Sequence, residues 1–298
     1  MSESKSINFR NYNIELSNGQ KTLAYSDILF SDRPVVKAIK RSINNFLNIN
    51  KEDYKNIKIA DIGCMDGGYS VELAKEGFNV LGIDARKENL LRAMYLKLNL
   101  KLDKLNFVKD DARNLSKYGT FDIVFCFGLL YHLDNPVDFL KIIYNQTNRL
   151  LILNTYYAYN EFEGTLYKNE YEQNLSNPEY FNEQRNKFHQ EEVKKEKHLA
   201  YIQHIKNFKL SPEISENEGY KGRWFNEWSE NTSKEKIEIM PGASYNNHKS
   251  FWLCKDELLR ALYDVGFQSV YEQYDDIGDL YKDNPNMYYP RTLLIAVK

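Results

Sequence analysis

Hydrophobic positions between residues 57 and 157 follow two alternating spacings. Short runs rich in Ile, Val, Leu and Phe, such as IKIADIG (57–63) and FDIVFCFG (121–128), have the length and β-branched content of buried strands. Between such runs lie stretches with apolar residues at helical spacing, among them Glu88–Asn99 and the segment that begins at Pro136. This alternation predicts a doubly wound α/β fold, in which helices cover a parallel sheet.

The pattern breaks after Tyr157 and returns near residue 250. The intervening residues are polar and aromatic, with helical stretches such as 180–204, and predict an ordered helical and aromatic insertion that acts as a lid. KDELLRALYDVGF then predicts an amphipathic helix that ends at Gly266, and QSVYEQYDD and RTLLIAVK predict two closing strands. With the five strands before the insertion, these make a seven-stranded, Rossmann-like sheet.

Before the core, the pattern predicts a hairpin around residues 18–19 and a helix over 34–47. The chain is thus expected to have four parts: an N-terminal extension (1–50), a Rossmann-like core (51–157), the insertion (158–249) and a segment that completes the core (250–298).

Composition narrows the class of protein. The 298 residues include 40 basic and 42 acidic side chains, which weakens the case for a nucleic-acid partner without removing it. Cys64, Cys126 and Cys254 are too widely spaced for a disulfide framework or a zinc cluster, so we expect reduced thiols and no metal. Neither a signal peptide nor a membrane-spanning run is evident, so a cytoplasmic protein is expected, with no membrane partner.

The stretch IADIGCMDGGYS (59–70) combines a predicted strand end with a glycine-rich turn where a ligand can approach the backbone. Its glycines are Gly63, Gly67 and Gly68. Asp84 ends the next predicted strand, about 20 positions after Asp61, an arrangement that binds ribose hydroxyls in doubly wound folds. Met65 replaces the middle glycine of the dinucleotide fingerprint, so the turn favours an adenosine-type cofactor other than NAD.

The same stretch resembles the D-x-G-x-G-x-G loop of class I methyltransferases that use S-adenosylmethionine. The matching residues are Asp61, Gly63 and Gly67. The spelling GC-x-x-GGYS is similar to a bacterial subgroup in which the middle glycine is also replaced. GLLYHLDNP (128–136) resembles the LYH-x-x-x-P loop of several methyltransferases, including those that modify the wobble uridine of tRNA. The resemblance implies S-adenosylmethionine as cofactor and S-adenosylhomocysteine as product.

The resemblance also implies roles for side chains at the strand ends. Asp84 corresponds to the ribose-binding acid, and Asp111 with Ala112 to the adenine contact. The implied cofactor residues are Asp61, Gly63, Cys64, Gly67, Asp84, Ala85, Asp111, Ala112, Phe127 and Gly128. Taken alone, Asp84 is equally compatible with a solvated strand end and Asp111 with a helix N-cap. Their conjunction at successive strand ends favours the cofactor site.

Two neighbouring residues are candidates for catalysis. A neutral His132 at the binding edge of the sheet can take a proton from a substrate hydroxyl, and Tyr131 is an equal candidate to face the reaction. Alternatively, His132 bonds a loop carbonyl, since methyl transfer can proceed by alignment alone. Candidate substrate residues, which combine positive charge with aromatic rings, are Tyr220, Arg223, Trp224, Trp228 and Arg291. The alternative for the first four is a structural anchor of the insertion.

The sequence therefore predicts an S-adenosylmethionine-dependent methyltransferase that acts on an oxygen of a polar small molecule or a saccharide. Two alternatives remain open at this point: a tRNA-modifying methyltransferase, and a non-catalytic cofactor-binding module whose insertion binds another protein.

Overall fold

Two β-sheets and their flanking helices make up the described part of the chain. The computed structural model describes residues 7–9, 11–23, 26–160, 210–211, 213–240, 242–273 and 291–298. Its strands are β1 (Lys58–Ile62), β2 (Asn79–Asp84), β3 (Leu105–Lys109), β4 (Phe121–Phe127), β5 (Thr147–Tyr156), β6 (Ser215–Asn217), β7 (Tyr220–Asn226), β8 (Lys249–Leu253), β9 (Ser269–Glu272) and β10 (Arg291–Val297). Its α-helices are α1 (Pro34–Leu47), α2 (Gly68–Lys75), α3 (Lys87–Leu100), α4 (Pro136–Gln146), α5 (Lys234–Ile239) and α6 (Lys255–Asp264).

The larger sheet has seven strands in the order β3-β2-β1-β4-β5-β10-β9. Strands β1 to β5 pair in parallel, and β10 runs antiparallel to both of its neighbours. The strand order reverses between β1 and β4, and ligands of doubly wound sheets bind at the carboxyl ends beside such a reversal. This topology confirms the predicted seven-stranded Rossmann-like fold.

Alternate residues of the central strands enter two separate apolar clusters. Ile59 and Ile123 belong to the cluster packed under α1, α2 and α3, whereas Ala60 and Val124 belong to the cluster under α4 and α6. This is the period of two expected of a sheet buried on both faces. All three cysteines are buried and free, as predicted. In the described segments no helix combines the length and apolar character needed to cross a bilayer.

The N-terminal segment forms a short version of the predicted hairpin. The turn around residues 18–19 is present, but the flanking residues form only one bridge, between Glu15 and Lys21. A side chain replaces part of the backbone ladder, because the Ile14 N–H donates to the Thr22 hydroxyl at 2.8 Å. Backbone hydrogen bonds from Leu16 to Gln20 at 2.8 Å and from Thr22 to Ile14 at 3.0 Å flank the bridge. The chain here is therefore a short hairpin, and α1 follows it with the predicted bounds.

The described part of the insertion contributes a second, antiparallel sheet with the order β6-β7-β8. Strand β8 begins at Lys249, so the predicted boundary between residues 249 and 250 falls at the start of a strand that pairs with the insertion. The predicted helical stretch 180–204 lies outside the described residues.

Gly68 determines how the N-terminal segment packs against α2. A Cβ atom at this position would lie 2.3 Å from the ring of Tyr12. Tyr12 cannot easily retreat, because its ring centroid lies 4.5 Å from that of Phe30 and 5.9 Å from that of Tyr69. The second glycine of the GGYS stretch is thus required by close packing.

Gly68→Ala is expected to destabilise the fold by about 1–3 kcal/mol, the usual range for overpacking. Denaturant unfolding of the single variant, of Tyr12→Ala and of the double variant measures the coupling. The added methyl group should be tolerated better when the Tyr12 ring is absent. An equal loss in both backgrounds would show that the ring does not exclude a side chain at residue 68.

Candidate active site

A cavity of about 440 Å³ opens at the carboxyl ends of β1 to β4, within the size range of small-molecule sites. Ten of the residues predicted from the sequence line it: Gly63, Asp84, Ala85, Asp111, Ala112, Phe127, Gly128, Tyr131, His132 and Arg291. Segment 242–247 of the insertion and Tyr12 of the N-terminal segment complete the lining. The cavity is thus assembled from all four parts of the chain.

The loop after β1 brings its backbone to the cavity in a left-handed conformation. Gly63 and Gly67 have φ values of 74° and 79°. Met65, which replaces the middle glycine, also has a positive φ, of 49°, although this conformation is unfavourable for a side chain. Its N–H donates to Asp84 Oδ2 at 2.9 Å. Met65 therefore adopts the backbone geometry of a glycine and links the first loop to the end of β2.

Asp61 lies behind this loop and does not line the cavity. Its Oδ2 accepts a hydrogen bond of 2.5 Å from the Ser70 hydroxyl, which ties β1 to α2. Burial raises the pKa of Asp61 to about 7, with a further contribution from the charge of Asp84, although hydrogen bonds from Ser70 oppose the shift. Cys64 and Gly67 also lie behind the lining, and burial raises the pKa of the Cys64 thiol.

Asp84 is held from three directions at the end of β2. Its Oδ1 accepts from the Arg86 N–H at 2.8 Å and from Asn89 Nδ2 at 3.1 Å, and its Oδ2 accepts from Met65. Burial raises the pKa of Asp84, whereas these hydrogen bonds act to lower it. The carboxylate is therefore fixed in orientation at the cavity wall.

Asp111 both caps a helical turn and faces the cavity. Its carboxylate accepts from the N–H of Arg113 at 2.9 Å and from the Arg113 guanidinium at 2.8 Å, and Asn246 of the insertion also donates to it. Partial burial acts to raise the pKa of Asp111, but the hydrogen bonds and charge of Arg113 lower it overall. Arg113 Nε also donates to both oxygens, so Arg113 and Asn246 together take up the roughly four lone-pair directions of the carboxylate, and a ligand donor would have to replace the Asn246 contact.

Aromatic rings surround the part of the cavity at the end of β4. The Tyr131 ring lies 4.5 Å from Tyr156 and 4.3 Å from His132. Arg291 lies over Phe127 at 5.4 Å and over Tyr156 at 5.3 Å. Burial raises the pKa of Tyr131 well above its ordinary value, although Arg291 opposes the shift. The phenol therefore keeps its proton.

His132 is paired with a buried carboxylate that the sequence analysis did not single out. His132 Nδ1 lies 2.8 Å from Oε1 of Glu227, which is 2% exposed. The Ser250 hydroxyl donates to the same oxygen at 2.8 Å, and the Ser244 N–H donates to Oε2 at 3.0 Å. Because a carboxylate only accepts, the pair places a proton on Nδ1 and leaves Nε2 of the neutral ring as the basic nitrogen.

The second sheet also holds the backbone on which His132 lies. Two residues of β8 and Asn247, which precedes it, donate to successive carbonyls: Trp252 Nε1 to Tyr131 at 2.7 Å, Asn247 Nδ2 to His132 at 2.9 Å, and the Phe251 N–H to Leu133 at 2.8 Å. The LYH loop is therefore positioned by the insertion and by β8.

On the opposite side of the cavity, Arg86 attaches the insertion to the β2 end. Its guanidinium donates to the carbonyls of Ala243 at 2.9 Å and Ser244 at 3.2 Å, and it lies 5.2 Å from the centroid of the Tyr245 ring. This contact holds the segment 242–247 over the cavity.

Comparison with known proteins identifies the family. A family model described as a methyltransferase domain matches residues 53–227, more than half of the chain. The chain belongs to this methyltransferase family. Its sheet has the class I fold, and S-adenosylmethionine is its cofactor.

Curated relatives of this methyltransferase cover only part of its length. The ubiquinone biosynthesis O-methyltransferase of Rickettsia typhi is 30% identical over 94 residues, which are 32% of this chain and 38% of that protein. The protein of the same name from Rickettsia canadensis is 33% identical over 89 residues, 30% of this chain and 37% of the relative. The chain thus spans less than two fifths of these relatives.

Among solved structures, the N-terminal domain of EvdMO1 in the presence of SAH and D-fucose resembles the methyltransferase along most of both chains. The TM-score is 0.60 at 18% identity, with 96% of this chain and 89% of the other covered. The same domain with SAH bound gives the same TM-score and identity, with 90% of that chain covered. At this identity the likeness concerns the fold.

The cavity of the methyltransferase has the donor and acceptor chemistry that S-adenosylmethionine requires. Two carboxylates, Asp84 and Asp111, suit ribose hydroxyls and an exocyclic amine. The rings of Tyr12, Tyr69 and Phe127 suit a sulfonium cation. The residues present therefore fit the cofactor.

Four of the predicted substrate residues do not line the cavity. Arg223 lies in β7 and is buried where this strand pairs with β8. Its guanidinium donates to the backbone carbonyls of Tyr159 and Ser211. Tyr220 donates to Asp264 at 2.8 Å. Trp224 packs on Phe251, and Trp228 Nε1 donates to the Ser244 carbonyl at 3.1 Å. These four contacts stabilise the second sheet, and Arg291 alone of the five lies in the lining.

Asp61→Asn is expected to change how stability depends on pH. Between the unfolded pKa and the folded pKa of about 7, the folded state binds a proton that the unfolded chain releases. The contribution of Asp61 to the free energy of unfolding is therefore fully present below the unfolded pKa. It is lost as the pH rises through the folded pKa of about 7. From pH 5 to 8, the melting temperature of the wild type should fall relative to that of the variant. Parallel curves would contradict the raised pKa.

Proposed function

We propose that the methyltransferase transfers a methyl group to a hydroxyl oxygen of a polar small molecule or a saccharide, and that His132 accepts the hydroxyl proton. The hydrogen-bonded pair of His132 and Glu227 at the cavity is the observation that carries this proposal. A neutral alcohol is a weak nucleophile and must lose its proton as the new O–C bond forms, whereas a neutral amine can attack first and release a proton to solvent afterwards. A fixed, buried base is therefore more useful for oxygen than for nitrogen.

The proposed cofactor contacts follow the strand ends. Asp84 with Ala85 binds the ribose, Asp111 with Ala112 binds the adenine, and the backbone at Gly63, Phe127 and Gly128 faces the methionine part. Asp61, Cys64 and Gly67 support this loop from behind. When bound, S-adenosylmethionine supplies a methyl group that its sulfonium has already activated.

In this proposal each side chain near the acceptor has a different task. Nε2 of His132 receives the proton, and Glu227 stabilises the resulting imidazolium through Nδ1. Tyr131 keeps its own proton and donates a hydrogen bond that orients the acceptor. Arg291 offers a positive charge to a carboxylate or phosphate of the substrate. The His132 side chain is only 13% exposed, which limits competition from water.

The comparisons support an oxygen acceptor without defining it. The Rickettsia relatives are named as O-methyltransferases, and the neighbouring EvdMO1 domain was solved in the presence of a sugar, D-fucose. The proposal is tested by incubating the enzyme with methyl-deuterated S-adenosylmethionine and panels of sugars, hydroxylated small molecules and amines. Mass spectrometry of the products should find the label on oxygen; label found only on nitrogen would refute the proposal.

With an acceptor in hand, Glu227→Gln is expected to lower kcat by about 10²–10⁴-fold, because the amide no longer fixes the Nδ1–H tautomer. His132→Ala should have a similar effect. Calorimetry should find the Kd for SAH within about threefold of wild type in both variants, since neither residue binds the nucleoside.

Glu230→Gln is the matched control, because Glu230 forms an exposed pair with His248 at 3.0 Å in the same insertion. This variant should retain wild-type turnover. Full turnover of His132→Ala with the true acceptor would exclude the proposed proton transfer.

A further inference from the structure

A closed ring of contacts links the first cofactor loop to Asp84 through α3. Asp66 Oδ1 accepts from Arg92 Nε at 2.7 Å, and Arg92 Nη2 donates to Asn89 Oδ1 at 3.0 Å. Asn89 Nδ2 in turn donates to Asp84 Oδ1, and the Met65 N–H closes the ring at Asp84 Oδ2. Asp84 is the only residue of this ring that the sequence analysis predicted to bind cofactor or substrate.

The ion pair between Asp66 and Arg92 in this ring is expected to add little to the stability of the fold. Asp66 is 0% exposed and Arg92 is 8% exposed, so both charges have lost most of their hydration. Within the described chain, Asp66 Oδ2 is the one buried side-chain nitrogen or oxygen without a hydrogen-bond partner. Burial of a charged pair offers little net stability, and an unsatisfied oxygen reduces it further.

Arg92 determines which end of the Asn89 amide faces Asp84. A guanidinium has only donors, so it selects the carbonyl oxygen of Asn89 and turns the NH₂ group toward the carboxylate. With Arg92 removed, the amide can rotate and present its oxygen to Asp84, which would repel the carboxylate. One of the three hydrogen-bonding partners that fix Asp84 thus depends on Arg92.

We propose that Arg92 is a positioning residue for cofactor binding: acting through Asn89, it orients the Asp84 carboxylate toward the ribose hydroxyls. This inference rests on the ribose-binding role proposed for Asp84. It assigns a function to a buried ion pair that lies outside the cavity lining. It also explains why Asp66 follows Met65 in the loop, because the ring constrains both residues at once.

The test measures binding of SAH and of its 2′,3′-dideoxy analogue, which lacks both ribose hydroxyls, by calorimetry. The variant is Asp66→Asn with Arg92→Met, which removes both buried charges and so avoids an unpaired one. Its affinity for SAH should fall about tenfold, whereas its affinity for the dideoxy analogue should change less than about twofold. Equal losses for both ligands would overturn the proposal and leave only a structural role.

Two further variants separate this inference from the proposed site. Asp84→Asn should also lose affinity for SAH selectively; if it does not, the ribose role of Asp84 and the role of Arg92 both fail. If Asp84→Asn loses affinity selectively for SAH and the Asp66/Arg92 double variant does not, the ribose role of Asp84 stands and the positioning role of Arg92 is excluded. Glu72→Gln breaks another ion pair, between the buried Glu72 and the partly exposed Lys40 at 3.0 Å, and should lower the melting temperature without changing the preference between ligands.

Discussion

The hydrogen bond between Glu227 and His132 joins two parts of the chain that are 95 residues apart. Glu227 follows β7 of the second sheet, whereas His132 follows β4 of the central sheet. A buried carboxylate is unfavourable unless hydrogen bonds replace its hydration, and Ser244 and Ser250 supply those bonds. The His132 ring therefore has its Glu227 partner only when the second sheet packs at the carboxyl ends of the central strands.

Ser244 connects this pair to the nucleoside side of the cavity. Its N–H donates to Glu227, and its carbonyl accepts from both Arg86 and Trp228. Arg86 lies two residues after Asp84, so one short segment of the insertion contacts both ends of the site. The insertion thus lines the same cavity as the core and is held to it on both sides.

Local sequence was sufficient for the central sheet and for the first cofactor loop. Strand and helix periods are properties of neighbouring residues, and the GGYS stretch specifies its own geometry through Gly67, Gly68 and Ser70. Glu227 could not be found in this way, because its partner lies far away in sequence and only the docked sheets bring them together. The one local signal was an acidic residue among the aromatic side chains of GYKGRWFNEW (219–228). The same packing moved Arg223 away from the cavity, since pairing of β7 with β8 buries it.

The central claim is that Glu227 holds the proton of neutral His132 on Nδ1 and leaves Nε2 free to accept one. The most direct measurement is ¹⁵N–¹H correlation spectroscopy of the histidine side chains in the SAH-bound protein at neutral to mildly alkaline pH. The His132 signals are assigned among the five histidines by their loss in His132→Gln. The account predicts a protonated Nδ1 and an unprotonated Nε2, and loss of this preference in Glu227→Gln. A neutral His132 protonated on Nε2 in the wild type would contradict it.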